Sequence, residues 1–261
     1  TNIGDDSFEC RCPVGFLGDR CEIEDRCQVP YLFFSASLGT FWYNTQETTG
    51  RPVKVNDHGN ALLSFDGVNK RLYLYITPQD ITSFKLDGSD STAMNLDNVE
   101  IFTVDGQNNL IYFVHSARDR IHVYNITSEQ DAQVGALSDI ASVKDLEMEV
   151  TNGYLYIARA NHPTIVRYNP ADQSITNIGN AAGSAQSISV DEYNNAIYWI
   201  NFVGDGLRVM KTSLNGETVD LNITYDGNPA ITSDVFHFYV LDNNRIDKYL
   251  KASLEKVGNL T

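Results

Sequence analysis

The sequence predicts an all-β fold: a six-bladed β-propeller of four-stranded antiparallel blades, preceded by a small cysteine-rich segment. Three observations predict it. A unit of about forty residues repeats through most of the chain, each unit has the pattern of short strands joined by tight turns, and all four cysteines precede residue 28. The predicted boundaries are 1–27 for the cysteine-rich segment and 28–261 for the propeller.

The first segment contains "CRCPVGFLGDRC", with cysteines spaced C-x-C-x8-C. The four cysteines are Cys10, Cys12, Cys21 and Cys27. Clustering at one end of a chain with no later cysteine indicates a small disulfide-stapled module joined to a domain that folds around its own core. A C-x-C metal site is disfavoured, because no nearby histidine or second cysteine pair completes it.

The repeat is defined by a recurring pair, an apolar residue followed by an aromatic one. Successive pairs are separated by 40, 39, 44, 42 and 41 residues, which gives six nearly equal units. The pairs are Leu32-Phe33, Leu72-Tyr73, Ile111-Tyr112, Leu155-Tyr156, Ile197-Tyr198 and Phe238-Tyr239. We expect the tyrosines to pack between blades with their hydroxyl groups at the surface.

Each unit then follows the order of a blade. Apolar runs such as "SISVD" and "AIYWI" predict a first and a second strand, and alternating runs such as "RIHVYNI" predict a half-buried third strand. Turn signals such as Leu86-Asp87-Gly88 and Leu214-Asn215-Gly216 lead into a fourth strand. Four short strands repeated six times suit a propeller, whose blades bury their faces against each other.

An acid precedes the tyrosine by seven residues in four units and by five in the last, with Asn and Gly between them. These acids are Asp66, Asp105, Glu149, Asp191 and Asp234. We expect each to accept hydrogen bonds from a tight hairpin turn; the alternative is a ring of ligands for calcium in the central channel. The acids of "DLEME" (145–149) alternate along one strand face, which predicts a solvated strand edge, with a calcium site as the alternative.

The stretch "ISVDEYNNAIYWINFVGDGLRVMKTSLNGE" resembles the YWTD repeat of low-density-lipoprotein-receptor-type propellers, although no unit keeps Tyr-Trp-Thr-Asp. The cysteine stretch resembles the second half of an epidermal-growth-factor-like (EGF-like) module. That resemblance implies a Cys12–Cys21 disulfide and a partner for Cys10 upstream of Thr1. Cys27 has no place in the pattern, and the alternatives for it are pairing with Cys10 or with a partner outside this chain. The propeller resemblance further implies that the first unit lacks an inner strand, supplied from beyond Thr261, so that the chain is expected to be an excerpt of a longer modular protein.

Composition and motifs point to an extracellular glycoprotein. Three N-glycosylation sequons begin at Asn125, Asn222 and Asn259. The net charge is −15 with scattered basic residues, which disfavours nucleic acid as a partner, and no apolar run is long enough for this segment to insert into a membrane. No catalytic motif is present, so we expect no enzyme activity, no cofactor and no metal site, with calcium as a minor alternative.

The predicted function is non-catalytic protein binding within a larger receptor or matrix protein, to a protein ligand or to neighbouring modules. The alternatives are a purely architectural bead in a secreted assembly, and a calcium-dependent propeller hydrolase. Loops between second and third strands should gather at one end of the ring and carry residues that commonly anchor a protein partner. These candidates are Arg118, Arg120, Arg159, His162 and Phe202.

Overall fold

The computed structural model describes residues 16–17, 23–24, 31–36, 38–44, 51–57, 59, 61–75, 80–96, 98–116, 120–138, 140–204, 206–243 and 245–260. The predicted fold class is confirmed. Within the described residues, six antiparallel sheets follow one another as the blades of a propeller, five with four strands and the first with three. In the described part of the chain, helical structure is limited to a 3-10 turn at Gly135–Leu137.

The first strands form a two-stranded hairpin, β1 (Phe16–Leu17) and β2 (Ile23–Glu24), between the positions of Cys12 and Cys27. Blade 1 follows, with β3 (Tyr31–Ala36), β4 (Gly39–Asn44) and β5 (Val53–Asn56). In β3, Phe33 packs against the next blade as second-strand residues do elsewhere in the ring. Among the described residues, blade 1 therefore has no inner strand, as predicted.

The remaining blades each use four consecutive strands, ordered from the inner to the outer strand. Blade 2 comprises β6 (Leu62–Asp66), β7 (Arg71–Tyr75), β8 (Ile81–Lys85) and β9 (Thr92–Met94). Blade 3 comprises β10 (Val99–Asp105), β11 (Leu110–His115), β12 (Arg120–Asn125) and β13 (Gln130–Gln133). Blade 4 comprises β14 (Val143–Glu149), β15 (Tyr154–Arg159), β16 (Ile165–Tyr168) and β17 (Ile175–Ile178).

Blade 5 comprises β18 (Ser184–Asp191), β19 (Ala196–Val203), β20 (Gly206–Ser213) and β21 (Thr218–Tyr225). Blade 6 comprises β22 (Ala230–Ser233), β23 (His237–Asp242), β24 (Arg245–Leu250) and β25 (Lys256–Leu260). The inner-strand to second-strand hairpins lie at one end of the ring. The loops between second and third strands lie at the other end, because successive antiparallel strands reverse direction.

The core consists of apolar layers between successive blades, since each blade buries both faces. Second strands are the most buried: Trp199 has no exposed surface and donates its indole N–H to Thr212 Oγ1 at 2.9 Å. The last layer joins blade 6 to blade 1, where Leu32 packs with Tyr239 and Ile246. Side-chain packing therefore closes the ring within the described residues.

The recurring acids cap the turns beside them, as predicted. Asp66 Oδ1 accepts the backbone N–H of Asn69 at 3.0 Å, and Oδ2 accepts the Asn69 side-chain amide at 2.8 Å. The same pair of bonds joins Asp105 to Asn108 and Asp191 to Asn194. The last residue of these turns has a positive φ, at Lys70, Asn109 and Asn195. The hydrogen bonds to the acid thus stabilise a tight hairpin whose last residue adopts the left-handed conformation.

The turn asparagines also join neighbouring blades. The side-chain amide of Asn69 donates to the carbonyl of Gly106 in blade 3 at 3.0 Å, and that of Asn194 donates to the carbonyl of Val235 in blade 6 at 3.1 Å. No unit of this chain contains the sequence Tyr-Trp-Thr-Asp. Blade-to-blade hydrogen bonds exist nevertheless, and the turns provide some of them.

The prediction that tyrosine hydroxyl groups reach the surface is wrong for the second strands. Tyr156 Oη donates to Glu149 Oε2 at 3.1 Å, and Tyr239 Oη donates to Asp234 Oδ2 at 2.7 Å. Tyr198 is fully buried, and burial raises the pKa of its phenol to about 12. The hairpin brings the end of the inner strand back beside the tyrosine, which explains the spacing of acid and tyrosine.

A buried ion pair ties blade 6 to blade 5. Lys251 Nζ lies 2.6 Å from Asp191 Oδ2, and the two side chains are 7% and 2% exposed. The ammonium group also donates to the backbone carbonyl of Asp234 and lies 5.1 Å from the ring centroid of Tyr198. Lys251 and Asp191 are sixty residues apart in sequence.

Candidate partner-binding surface

The loops between second and third strands, together with the connections between blades, form one end of the ring, which we call the loop face. On it, Arg159 ends β15 and His162 lies in the loop that follows. Arg159 is 8% exposed, whereas His162 is exposed. Arg159 Nη2 donates to His162 Nδ1 at 3.1 Å. The histidine ring therefore stands at the surface with the arginine beneath it.

The arginine is incompletely satisfied. Its Nε is buried without a hydrogen-bond partner, and its hydrogen bond to His162 involves no carboxylate. Burial lowers the pKa of the Arg159 guanidinium. A guanidinium has five N–H donors in a fixed planar fork, and burying it without an anionic partner is unfavourable.

Arg159 occupies a position that has a structural role in the next two blades, three residues after the second-strand tyrosine. In blade 5 this position is Asn201, whose amide donates to the carbonyl of Ala182 at 2.9 Å, in the connection that leads into the blade. In blade 6 it is Asp242, which lies against Gly227 in the corresponding connection. In blade 4 the side chain instead extends to the exposed His162.

The loop of blade 4 is anchored to the neighbouring blade. The backbone N–H of Asn161 donates to Ser184 Oγ at 3.0 Å, and Gln186 Nε2 donates to the same hydroxyl at 2.8 Å. Asn161 has a positive φ of 59°, which asparagine tolerates. Sequence reasoning missed Asn161 and Ser184, because two separate short polar residues carry no signal of a contact between blades.

The structure places the other candidates as follows. Arg120 begins β12 in blade 3, opposite His115, and is half-buried. Phe202 is near the end of β19 in blade 5, and its side chain is 45% exposed. Both belong to the loop face, where Arg159 and His162 are in mutual contact. Arg118 lies outside the described residues.

The central channel does not have the predicted solvated strand edge. Asp145 Oδ2 accepts Ser187 Oγ–H and the Ile188 N–H, both at 2.9 Å, and Glu147 Oε2 accepts the Val190 N–H at 2.9 Å. These carboxylates on the inner strand of blade 4 therefore cap backbone donors of blade 5. Burial raises the pKa of Asp145 to about 6. It also raises that of Glu147 well above its usual range, with the nearby charge of Asp145 adding to the effect.

The hydrogen bonds continue to blade 6, where Ser187 Oγ accepts the backbone N–H of Ile231 at 3.2 Å. Ser189 and Ser233 pair their hydroxyl groups at 3.0 Å. Within the described residues, no group of three or more His, Cys, Asp or Glu side chains is arranged to hold a metal ion.

The three sequon asparagines lie away from the loop face or at the outer rim. Asn125 ends β12 at the hairpin end of blade 3, and its Oδ1 accepts the N–H groups of Thr127 and Ser128, both at 2.9 Å. Asn222 and Asn259 are exposed on the outer strands β21 and β25. Cys10, Cys12, Cys21 and Cys27 lie outside the described residues, so the Cys12–Cys21 disulfide stays a prediction.

Comparison with known proteins shows the fold. No protein-family model matches the sequence. The chain is similar to a chain of the crystal structure of a nidogen/laminin complex, with a TM-score of 0.76, 16% sequence identity, and coverage of 88% of this chain and 92% of that chain. None of the residues described in the structure belongs to a helix long and apolar enough to cross a membrane.

Proposed function

We propose that this chain is a non-catalytic, extracellular protein-binding module of a larger receptor or matrix glycoprotein, and that it binds its partner through the loop face. The single observation that carries the proposal is the composition of that face. A phenylalanine that is 45% exposed, Phe202, and an arginine with a buried donor that has no partner, Arg159, lie at one end of the ring. Large aromatic residues and arginine are the side chains that dominate protein interfaces.

Three further observations support the proposal. The similar chain of known structure comes from a complex of two proteins, nidogen and laminin. Glycans on Asn222 and Asn259 would cover the outer rim of blades 5 and 6, and one on Asn125 would project from the hairpin end, so that the loop face stays accessible. The sequons and the cysteine cluster suit a secreted protein. We also propose that the chain is an EGF-like fragment (1–27) followed by a YWTD-like propeller (28–261), based on the motifs quoted above.

Site-specific photo-crosslinking tests the proposal. Benzoylphenylalanine replaces Phe202 in one variant and Tyr193 in another, and each full chain is irradiated in conditioned medium from cells that secrete it. The two positions form a matched pair, since both are aromatic, both belong to blade 5, and their exposed fractions are 45% and 48%. They lie at opposite ends of the ring.

We expect covalent adducts with a discrete second protein at position 202 and few at position 193. Equal adducts at both ends would favour a purely architectural role, in which the propeller packs against neighbouring modules on several sides. Adducts at neither end, or at position 193 alone, would refute binding through the loop face.

A further inference from the structure

We infer that Arg159 and His162 form the anchor for an acidic side chain of the partner protein, an aspartate or glutamate carboxylate. This inference rests on the proposed function and specifies the chemistry of the partner at that site. Its first ground is that the Arg159 guanidinium has a hydrogen-bond donor without a partner. Arg159 is 8% exposed as a residue, its Nε is buried with no partner, and its hydrogen bond goes to a histidine rather than to an acid.

The second ground is the comparison between blades. The residues equivalent to Arg159 in blades 5 and 6, Asn201 and Asp242, are short and contact the connection that leads into their own blade. Arg159 replaces such a contact with a longer side chain whose charged end is directed to the surface at His162. A structural role at this position needs no guanidinium, so the positive charge requires another explanation.

The third ground is chemical fit. A guanidinium pairs with a carboxylate through two parallel N–H···O bonds, and such charge-assisted bonds are about twice as strong as neutral ones. Because Arg159 donates to Nδ1 of His162, the neutral imidazole carries its proton on Nε2, which is a further donor at the surface. The net charge of −15 repels densely anionic ligands such as nucleic acids, whereas a single carboxylate in a protein surface avoids most of that repulsion.

The test follows the arginine side chain directly. The full chain, labelled with ¹⁵N-arginine, is titrated with acetyl-Gly-Glu-Gly-amide at constant ionic strength, and the Nε–Hε signals are recorded by NMR. Loss of one signal in Arg159→Lys assigns the Arg159 resonance. Arg71, which is already paired with Asp90 at 2.9 Å, is the internal control.

We expect a saturable shift of the Arg159 signal and none of the Arg71 signal. Arg159→Gln should weaken the peptide at least about tenfold, followed through the exposed His162 ring signals. Arg208→Gln, which removes an exposed arginine paired with Asp220 on the outer part of blade 5, should leave binding unchanged. Circular dichroism verifies that both variants are folded.

Two further probes identify the source of the carboxylate. Acetyl-Gly-Gln-Gly with a free C-terminus and inorganic sulfate are titrated in parallel, with acetyl-Gly-Gln-Gly-amide as the uncharged control. If only the free C-terminus or sulfate shifts the Arg159 signal, the assignment to an acidic side chain is wrong. A shift shared by all arginines, or no shift, also overturns it.

The crosslinking experiment separates this inference from the proposed function. If adducts form at position 202 but no carboxylate probe shifts the Arg159 signal, the loop face binds a partner through other residues and only the inference fails. If position 202 gives no adduct, the proposed function fails whatever the peptide titration shows.

Discussion

Replacing Lys251 with methionine should destabilise the propeller strongly. The substitution keeps most of the buried aliphatic stem and removes the ammonium group that lies 2.6 Å from Asp191. The Asp191 side chain is 2% exposed, so water cannot replace the lost ammonium group. Within the described residues, its carboxylate then keeps only the two hydrogen bonds that Asn194 donates. Breaking a buried pair by removing one member costs about 3–5 kcal/mol.

For a chain of this size, a loss of that magnitude lowers Tm by roughly 10 °C. Differential scanning calorimetry and urea unfolding followed by tryptophan fluorescence measure it. The matched control is Lys85→Met, because Lys85 is 58% exposed in its ion pair with Asp90 and should contribute little. The double variant Asp191→Asn/Lys251→Met leaves no unpaired buried charge and should recover part of the loss. If Lys251→Met is no less stable than Lys85→Met, the reasoning about the buried pair is refuted.

Three further predictions concern other parts of the ring. Burial raises the pKa of Asp145 from 3.8 to about 6, so above pH 6 the ionised carboxylate lowers the free energy of unfolding by about 3 kcal/mol. This destabilisation disappears below about pH 4, where the carboxyl group is protonated in both the folded and the unfolded state. Asp145→Asn should therefore be more stable than the wild type at pH 7.5 and equally stable near pH 4 in urea unfolding; a constant difference would contradict this. A Cβ at Gly106 would overlap the Asp66 carboxylate, so Gly106→Ala should cost about 1–3 kcal/mol, whereas Gly135→Ala, which meets open space, should change the unfolding midpoint little. Replacing each sequon asparagine with glutamine should remove one glycan from the secreted protein, seen as one step in gel mobility; unaltered mobility shows an unused site at Asn125, Asn222 or Asn259.

The sequence was sufficient for the architecture because the features that build a blade are local. An acid, an Asn-rich turn and a tyrosine recur within eight residues, and the hairpin that they predict is the one observed, with Asp105 capping Asn108. The absence of an inner strand in blade 1, which holds for the described residues, was implied by the resemblance to YWTD propellers and not by the repeat itself. Periodicity alone gave the order of strands, since each strand pairs with its neighbour in sequence.

Contacts between blades could not be predicted from the sequence. Asp145 alternates with Glu147 along a strand, which shows that they share a face but not that this face meets the backbone of blade 5. The Lys251–Asp191 pair joins residues sixty positions apart, with no motif to relate them. On the loop face, Arg120 and Arg159 were equivalent candidates, and the structure distinguishes them by burial, since Arg120 is half-buried and Arg159 is 8% exposed.

The hydrogen bonds that Ser187 makes to both neighbours have a consequence for how the ring opens. Ser187 donates to Asp145 of blade 4 and accepts from Ile231 of blade 6, so three sheets that share no backbone ladder are connected through one hydroxyl group. Repeat proteins often unfold repeat by repeat, because each unit contacts only its neighbours. Here, fluctuations that open blade 5 must break bonds on both sides at once. We therefore expect the inner strands of blades 4, 5 and 6 to exchange their amide hydrogens as one cooperative block.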